Sequence, residues 1–424
     1  MIKKTSLLFA LLIILFFYFS ANESPYGINA HTGSNDVLFK VKEAGIKWIR
    51  IDLYWSLLEP ERGNFDFSEI DRIVEYSRVN GLTILGVLSS SPGWSNNNKG
   101  INYPPDNPED WKKFVSKTVS RYKDEIKYWN IWNEPNVEKF FAPGKASFVE
   151  EIFLPAAETI RKESPGSLIA GPELAHLEGQ GSEWYFWMKY ILTECSEYID
   201  IVSHHIYKNT GVYAIFESLE MGENITPSVK EVIEQSGFSS APFWITETGW
   251  DTELFSEEEQ GNRYLEFLQE MDSRRYPDKI FFYQIIDDAT PGIRPWGIVK
   301  SNFKEKPAYS IYSDYISGLY PQDDDSEPEL LSKKCYMEES VAMSDIDDKG
   351  GVLENLRQIR DIIVKFPITK QFISFYYNSG PVLKKIALNF PEFRKHSLNT
   401  AIIINYLFQS RHYKIMNLIA GLKP

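Results

Sequence analysis

From Pro25 to about Leu319 the chain alternates between two hydrophobic rhythms. Short apolar runs rich in Ile, Val, Trp, Tyr and Phe read as strands, at Tyr26–Ala30, Trp48–Leu53, Thr83–Leu88, Tyr128–Ile131, Leu168–Ala170, Ile199–Ser203, Phe243–Thr246 and Lys279–Tyr283. Between them lie longer stretches with helical spacing, among them Ser34–Ala44, Ser68–Asn80, Pro108–Tyr122, Lys145–Glu163, Glu183–Cys195, Pro227–Gln235 and Glu257–Arg275. Several open on a capping residue or a proline, and Asn80-Gly81 stops one of them. Eight strands alternating with helices over ~300 residues predict an α/β fold of the (β/α)8 TIM-barrel class. A doubly wound open sheet would want a glycine-rich phosphate loop after its first strand, and Asn29-Ala30-His31-Thr32-Gly33-Ser34 is not one.

Beyond the barrel pattern the texture changes. Residues 1–21 start with Lys3 and Lys4 and continue as a wholly apolar run from Leu7 to Phe19, which is short for a membrane span. This reads as a signal peptide or, because bulky Phe19 makes a poor cleavage site before Ala21, an uncleaved N-terminal membrane anchor. Either way the protein is expected to be exported: secreted, periplasmic or at the cell surface. The barrel domain is expected over residues 25–320. Residues 321–334, containing Asp323, Asp324, Asp325 and Glu327-Pro328-Glu329, read as an acidic linker rather than a calcium loop. Residues 335–424 read as a separate, mainly helical C-terminal module.

Composition narrows the partners. A net charge of -14 repels phosphate backbones and argues against nucleic acid. Aromatic residues make up 15% of the chain, with 11 Trp, 24 Tyr and 27 Phe; such faces stack on the C–H faces of sugars, although a large barrel also buries many of them. The only cysteines, Cys195 and Cys335, do not make a disulfide framework. Six scattered histidines form no His-x-His pair, so neither a metal nor an organic cofactor is expected.

In a barrel of this class, chemistry sits at the carboxyl ends of the strands. Polar residues gather there: Asp52, Ser89–Ser91, Asn133 and Glu134, Glu173, His205 and Tyr207, Glu247 and Gln284. Two glutamates stand out. Glu134 ends Trp129-Asn130-Ile131-Trp132-Asn133-Glu134-Pro135, and Glu247 ends Phe243-Trp244-Ile245-Thr246-Glu247-Thr248-Gly249. A paired acid/base and nucleophilic carboxylate cleave a glycosidic bond with retention when held ~5–5.5 Å apart, a separation only barrel closure can deliver here. Glu134 is the expected acid/base and Glu247 the expected nucleophile. Asn133 suits the 2-hydroxyl of the sugar, Arg50 can orient Glu247, and Tyr207 can hydrogen-bond it. His205 shares a face with Tyr207, and Trp296 is the candidate floor of the first sugar subsite. Trp55, Trp94 and Trp250 are candidates for outer subsites, and His31 and His176 are assigned no role.

Trp132-Asn133-Glu134-Pro135 and Thr246-Glu247-Thr248-Gly249 after their strands resemble glycoside hydrolase clan A, in the manner of its families 5 and 39. The resemblance covers roughly residues 25–320. It implies a (β/α)8 barrel with the acid/base after an Asn on strand four and the nucleophile ending strand seven. It also implies an Arg on strand two and a His-x-Tyr on strand six, which Arg50, His205 and Tyr207 match. Strand eight departs: Phe281-Phe282-Tyr283-Gln284 lacks the usual Trp, which Trp296 can replace from the following loop. Lys306-Pro307-Ala308-Tyr309 resembles the start of the last helix in such enzymes. The C-terminal module resembles a bacterial domain known for a Cys-Phe-Ile box, through Cys335-Tyr336-Met337, Leu356–Asp361 and Phe375–Pro381; Met337 departs from the box. The expected activity is retaining hydrolysis of β-linked sugars in a polysaccharide or glycoconjugate. The residues leave open a transglycosylase and a catalytically inactive glycan-binding barrel.

Overall fold

The computed structural model describes residues 24–177, 183–222 and 226–319. The targeting segment, the acidic linker and the C-terminal module, including Cys335, lie outside the described residues. Eight parallel strands close on themselves in chain order: β1 Tyr26–Asn29, β2 Trp48–Tyr54, β3 Thr83–Ser89, β4 Tyr128–Ile131, β5 Leu168–Ala175, β6 Ile201–His205, β7 Phe243–Thr248 and β8 Lys279–Phe282. The barrel shuts where β1 pairs with β8, Gly27 opposite Phe281. The strands are apolar on both faces because one face meets the helices and the other fills the barrel.

Local sequence sets the helix ends. Ser34 caps Asn35–Glu43 by accepting from the Val37 amide, and Asn107 with Pro108 opens Pro108–Tyr122. Gly81, left-handed at φ 67°, ends Ser68–Asn80. Ser256 and Glu259 form a reciprocal capping box before Glu257–Arg274.

Four expectations need correction. The stretch 145–163 is not one helix: a wide π turn, Phe148–Phe153, precedes the helix Leu154–Glu163. Pro155 has no N–H to give to the carbonyl four residues back, so regular α-helical bonding is interrupted there. A helix not anticipated, Val212–Glu220, buries Val212, Ile215, Phe216 and Leu219. Strand β5 runs five residues further than expected, with a register shift against β6 between Pro172 and Leu174. Strand β6 starts at Ile201 rather than Ile199 and carries His204 and His205 within it. No helix among the described residues is long and apolar enough to cross a membrane.

The barrel interior is plugged at its amino-terminal end by Trp48, Leu85, Ala170, Ile201, Trp244 and Phe281, with Tyr128 packed against them. Trp48 lies edge-on to Tyr128 at 4.7 Å and to Trp244 at 5.4 Å, and Lys279 Nζ stands 3.9 Å from the Trp48 ring centre. Gly27 is required here, since a Cβ would come within 2.6 Å of the Phe281 ring. This plug is a rigid floor above which the carboxyl ends of the strands hold a very different set of side chains.

Candidate active site

Strand β4 ends in a backbone that turns Glu134 into the barrel mouth. Trp132 and Glu134 both have positive φ, 72° and 45°, a conformation side chains rarely adopt without reinforcement. The reinforcement is visible. The Trp132 ring is buried and its indole N–H donates to Phe140 O at 2.8 Å. The Glu134 amide donates to Glu173 O at 2.9 Å, and Asn136 both donates to Ala175 O and accepts from the Ala175 amide. The loop after β4 is thereby stapled to the end of β5.

Arg50, on the inward face of β2 one alternation above Trp48, is the hub. Its Nη1 donates to Asn29 Oδ1 at 2.9 Å and to Glu247 Oε1 at 2.7 Å; its Nη2 donates to Asn133 Oδ1 at 2.8 Å and to Glu173 Oε2 at 2.9 Å. The guanidinium is almost fully buried, which alone would lower its pKa, but the charges of Glu247, Glu173 and Asp52 outweigh this and raise it. A planar donor fork of permanent charge suits this four-way task better than an ammonium. Because Asn133 Oδ1 faces Arg50, its amide N–H donors remain for a substrate hydroxyl.

Glu173 is completely buried. Burial would raise its carboxyl, yet Arg50 and His205 bring it down to about 2, so it is a fixed anion. Thr246 also donates to its Oε1 at 2.7 Å. His205 lies between three carboxylates: Nε2 is 3.1 Å from Glu173 Oε2, while Nδ1 is 3.0 Å from Glu134 Oε1 and 3.5 Å from Glu247 Oε2. Burial opposes a charge on the ring, but Glu247, Glu134 and Glu173 together push its pKa up to about 10. Both nitrogens can donate only in the imidazolium form.

Tyr207 OH donates to Glu247 Oε2 at 2.9 Å. Burial first, then the charges of Glu247 and Glu134, push the phenol well above its ordinary range, so it stays a donor. Glu247 is therefore gripped at both oxygens. Glu134, by contrast, has one ring nitrogen beside it and a partly open side chain. One oxygen from Glu134, one from Glu247 and a His205 nitrogen all lie within 4.8 Å of one another. Such a trio can in principle ligate a cation, but a protonated imidazole nitrogen has no lone pair to offer one.

An aromatic wall borders the pair. The rings of Tyr207 and Trp296 are 5.2 Å apart, Tyr283 and Trp296 6.1 Å, and Tyr207 and Tyr283 6.4 Å. Gly249, after β7, makes this possible: a Cβ there would meet Tyr283 O at 2.4 Å. The position just after β8 thus supplies Tyr283 beside Trp296, not instead of it.

The structure brings together Glu134, Glu247, Asn133, Arg50, His205, Tyr207 and Trp296. It removes two of the suggested outer-subsite aromatics: Trp55 and Trp250 are fully buried in the barrel–helix core, their N–H groups given to Glu59 and to Lys208 O. Trp94, in the 3-10 turn Gly93–Ser95, donates to Glu59 O at 2.8 Å and is capped by the Arg62 guanidinium 4.5 Å from its ring centre. Several members of the site received no role in the sequence analysis, among them Glu173, Tyr283 and His31. Glu173 was noted only as a polar strand end; Pro172 hid how far β5 runs. His31 stands on the β1 loop with its Nδ1 2.6 Å from Asp52 Oδ2.

Residues 34–259, more than half of the 424-residue chain, match the model of the glycosyl hydrolases family 39. A β-xylosidase from Caldicellulosiruptor saccharolyticus is 24% identical over 204 residues, 44% of this chain and 41% of that protein. This chain therefore spans less than half the length of that relative. Among solved structures, a family 39 glycoside hydrolase from Bacteroides cellulosilyticus WH2 aligns with TM-score 0.56 and 19% identity over 70% of this chain and 64% of that one. A monomeric β-xylosidase from Caulobacter crescentus CB15 aligns with TM-score 0.55 and 17% identity over 69% of this chain and 67% of that one. At these identities the structural likeness speaks for the barrel fold, and the family match carries the assignment: the chain belongs to glycosyl hydrolase family 39.

Proposed function

We propose that the protein is a retaining hydrolase of β-linked sugars in a polysaccharide or glycoconjugate. The observation that carries this reading is the approach of Glu134 and Glu247 within 4.8 Å through one oxygen each. An inverting enzyme needs its carboxyl groups ~6.5–9.5 Å apart to seat a water, whereas ~5–5.5 Å suits direct attack. Glu247, held by hydrogen bonds from Arg50 and Tyr207, attacks the anomeric carbon as the glycosidic C–O bond breaks. Glu134 delivers its proton to the departing oxygen. In the second step Glu134 takes a proton from water, which displaces Glu247 from the glycosyl-enzyme. Asn133 is placed to hold the 2-hydroxyl, and Trp296 with Tyr283 to border the ring. The charged start and apolar run of residues 1–21 support export to the cell surface, the periplasm or the medium.

The test is proton NMR of the first product formed from aryl β-glycosides, β-xylosides among them because of the relatives named above. The first-formed sugar should be the β-anomer. An α-anomer formed first, or no turnover of any β-glycoside, overturns the reading.

A further inference from the structure

Past β8 the chain runs through an exposed stretch, residues 288–294, before it delivers Trp296 to the barrel mouth. A loop of this kind is ordinarily mobile, yet the peptides on either side of Trp296 are tied down by side chains that hardly meet solvent. Lys306, just before the helix Pro307–Ile316, has a side chain only 1% exposed. Its ammonium donates to Asp287 Oδ1 at 2.9 Å, to Thr252 Oγ1 at 3.0 Å and to Pro295 O at 3.3 Å. Three donors thus meet three oxygens, one from the β7 loop and two from opposite ends of the β8 loop. Asp287 Oδ1 also accepts from the Gly297 amide at 2.7 Å, and Pro295 O from the Thr252 amide at 3.0 Å. Buried Gln260, on the helix Glu257–Arg274, donates to Trp296 O at 3.2 Å and to Gly297 O at 3.3 Å. The backbone passes so close to itself here that Gly297 is required: a Cβ would come within 2.2 Å of the Asp287 amide nitrogen.

Burying an ammonium is costly: burial lowers its pKa, and Asp287 offsets this only in part. An apolar side chain of similar length often holds such a place as stably as a buried ion pair does. What it cannot do is bind three oxygens from two loops at once. We propose that Lys306 is a positioning residue for the sugar site. By joining Asp287, Thr252 and Pro295 it fixes the peptides that flank Trp296, and so the place at which that ring meets the sugar. This rests on the glycosidase reading. The ammonium is fully engaged by its three oxygens, so Lys306 acts through the backbone of residues 295–297 rather than on the substrate. The consequence reaches the reaction centre because the Trp296 ring stands 5.2 Å from the ring of Tyr207, whose hydroxyl donates to Glu247. A small misplacement of a positioning group far from the chemistry is enough to slow an enzyme severely.

The experiment compares wild type, Lys306→Met, Thr252→Val and Trp296→Ala on one aryl β-glycoside, together with Trp296→Ala combined with each of the first two changes. Lys306→Met should lose roughly 10- to 100-fold in kcat/KM, the range for losing hydrogen bonds to a charged group. The loss should fall mainly in KM, because a ring that borders the sugar does so in ground and transition states alike. Thr252→Val removes one oxygen and leaves the ammonium paired with Asp287, so it should lose less in the same sense. In the Trp296→Ala background neither change should lower kcat/KM by more than about twofold. The place of the ring is read separately by acrylamide quenching of Trp296 fluorescence, taken as the difference between each protein and its Trp296→Phe counterpart. Quenching should rise in Lys306→Met and in Thr252→Val; if Lys306→Met does not fold, Thr252→Val carries both measurements. Equal fold-losses with and without Trp296, or unchanged quenching, overturn the inference. No turnover by wild type overturns the glycosidase reading instead, and with it this one.

Discussion

The two ends of the barrel interior are built from the same strands two residues apart, and they solve opposite problems. At the closed end Trp48, Trp244 and Phe281 fill the lumen with rings. At the open end, two positions further along the chain from those rings, stand Arg50, Thr246 and Tyr283, joined by Glu247 on β7 itself and by Glu173 and His205 from β5 and β6. The lower layer gains its stability from area removed from water and from edge-on aromatic pairs worth ~0.5–1.5 kcal/mol each beyond that burial. The upper layer buries charges, which is costly unless every one is matched. Arg50 and His205 are matched against Glu134, Glu173 and Glu247, so three carboxyl groups face two cations. One carboxyl group can carry a proton without stranding a cation. The comparison teaches that stability and chemistry are separated by height in the barrel: the plug fixes the strands, and the strands fix the charges.

The comparison breaks most sharply at Glu247. Replacing it with Gln should lower kcat on an aryl β-glycoside by about 10⁴-fold or more, because the nucleophile has no substitute. Thermal unfolding, followed by circular dichroism, should change little. Trp244→Ala should do the reverse. It should cost ~3–5 kcal/mol of stability in denaturant titrations through the cavity it leaves, while activity per folded molecule stays near wild type. If Trp244→Ala abolished turnover in fully folded protein, the two layers would not be separable.

Smaller changes sharpen the contrast. Tyr207→Phe removes one of two grips on Glu247 and should cost roughly 10- to 100-fold in kcat/KM, measured on the same substrate, with the fold intact. Of the two layers, the upper one should carry the pH dependence of stability. His205 has a folded pKa raised to about 10 from 6.5, so its contribution is complete below about pH 6.5 and is lost as pH rises toward 10. Glu173 is lowered to about 2 from 4.5, so its contribution is complete above about pH 4.5 and is lost as pH falls toward 2. A plot of melting temperature against pH should therefore be flat between these limits for this pair. His205→Gln should flatten the alkaline limb, whereas Trp244→Ala should lower the whole curve and keep its shape.

Much of this arrangement was legible in the sequence because it is written in local rules. Strands β1, β2, β3, β4, β7 and β8 are short apolar runs with turn residues between them; alternation along β2 places Arg50 inward, and Asn133, Glu134 and Glu247 directly follow the apolar runs of β4 and β7. What escaped depends on the closed barrel. Pro172 made β5 look finished at Ala170, yet the strand continues past a register shift that swings Glu173 beneath Arg50. A lone histidine after β1 carries no visible partner; Asp52 becomes one only when β1 and β2 pair side by side. The tryptophans failed for the opposite reason. A ring suited to stacking on sugar is equally suited to a core, and Trp55 and Trp250 went to the core because they face the helices. The helix Val212–Glu220 is rich in aromatic and β-branched residues, and burial of Val212, Ile215, Phe216 and Leu219 supports it.

In the proposed mechanism Glu247 becomes covalently bonded to the sugar while Glu134 gives and takes the proton. Incubation with activated 2-deoxy-2-fluoro β-glycosides, which slow the second step, followed by peptide mass spectrometry, addresses it directly. A stoichiometric glycosyl adduct on the peptide carrying Glu247, formed faster than it is released, is the expected result. An adduct on another carboxylate, or sustained turnover of the parent glycosides after Glu247→Gln with no adduct in wild type, would contradict it.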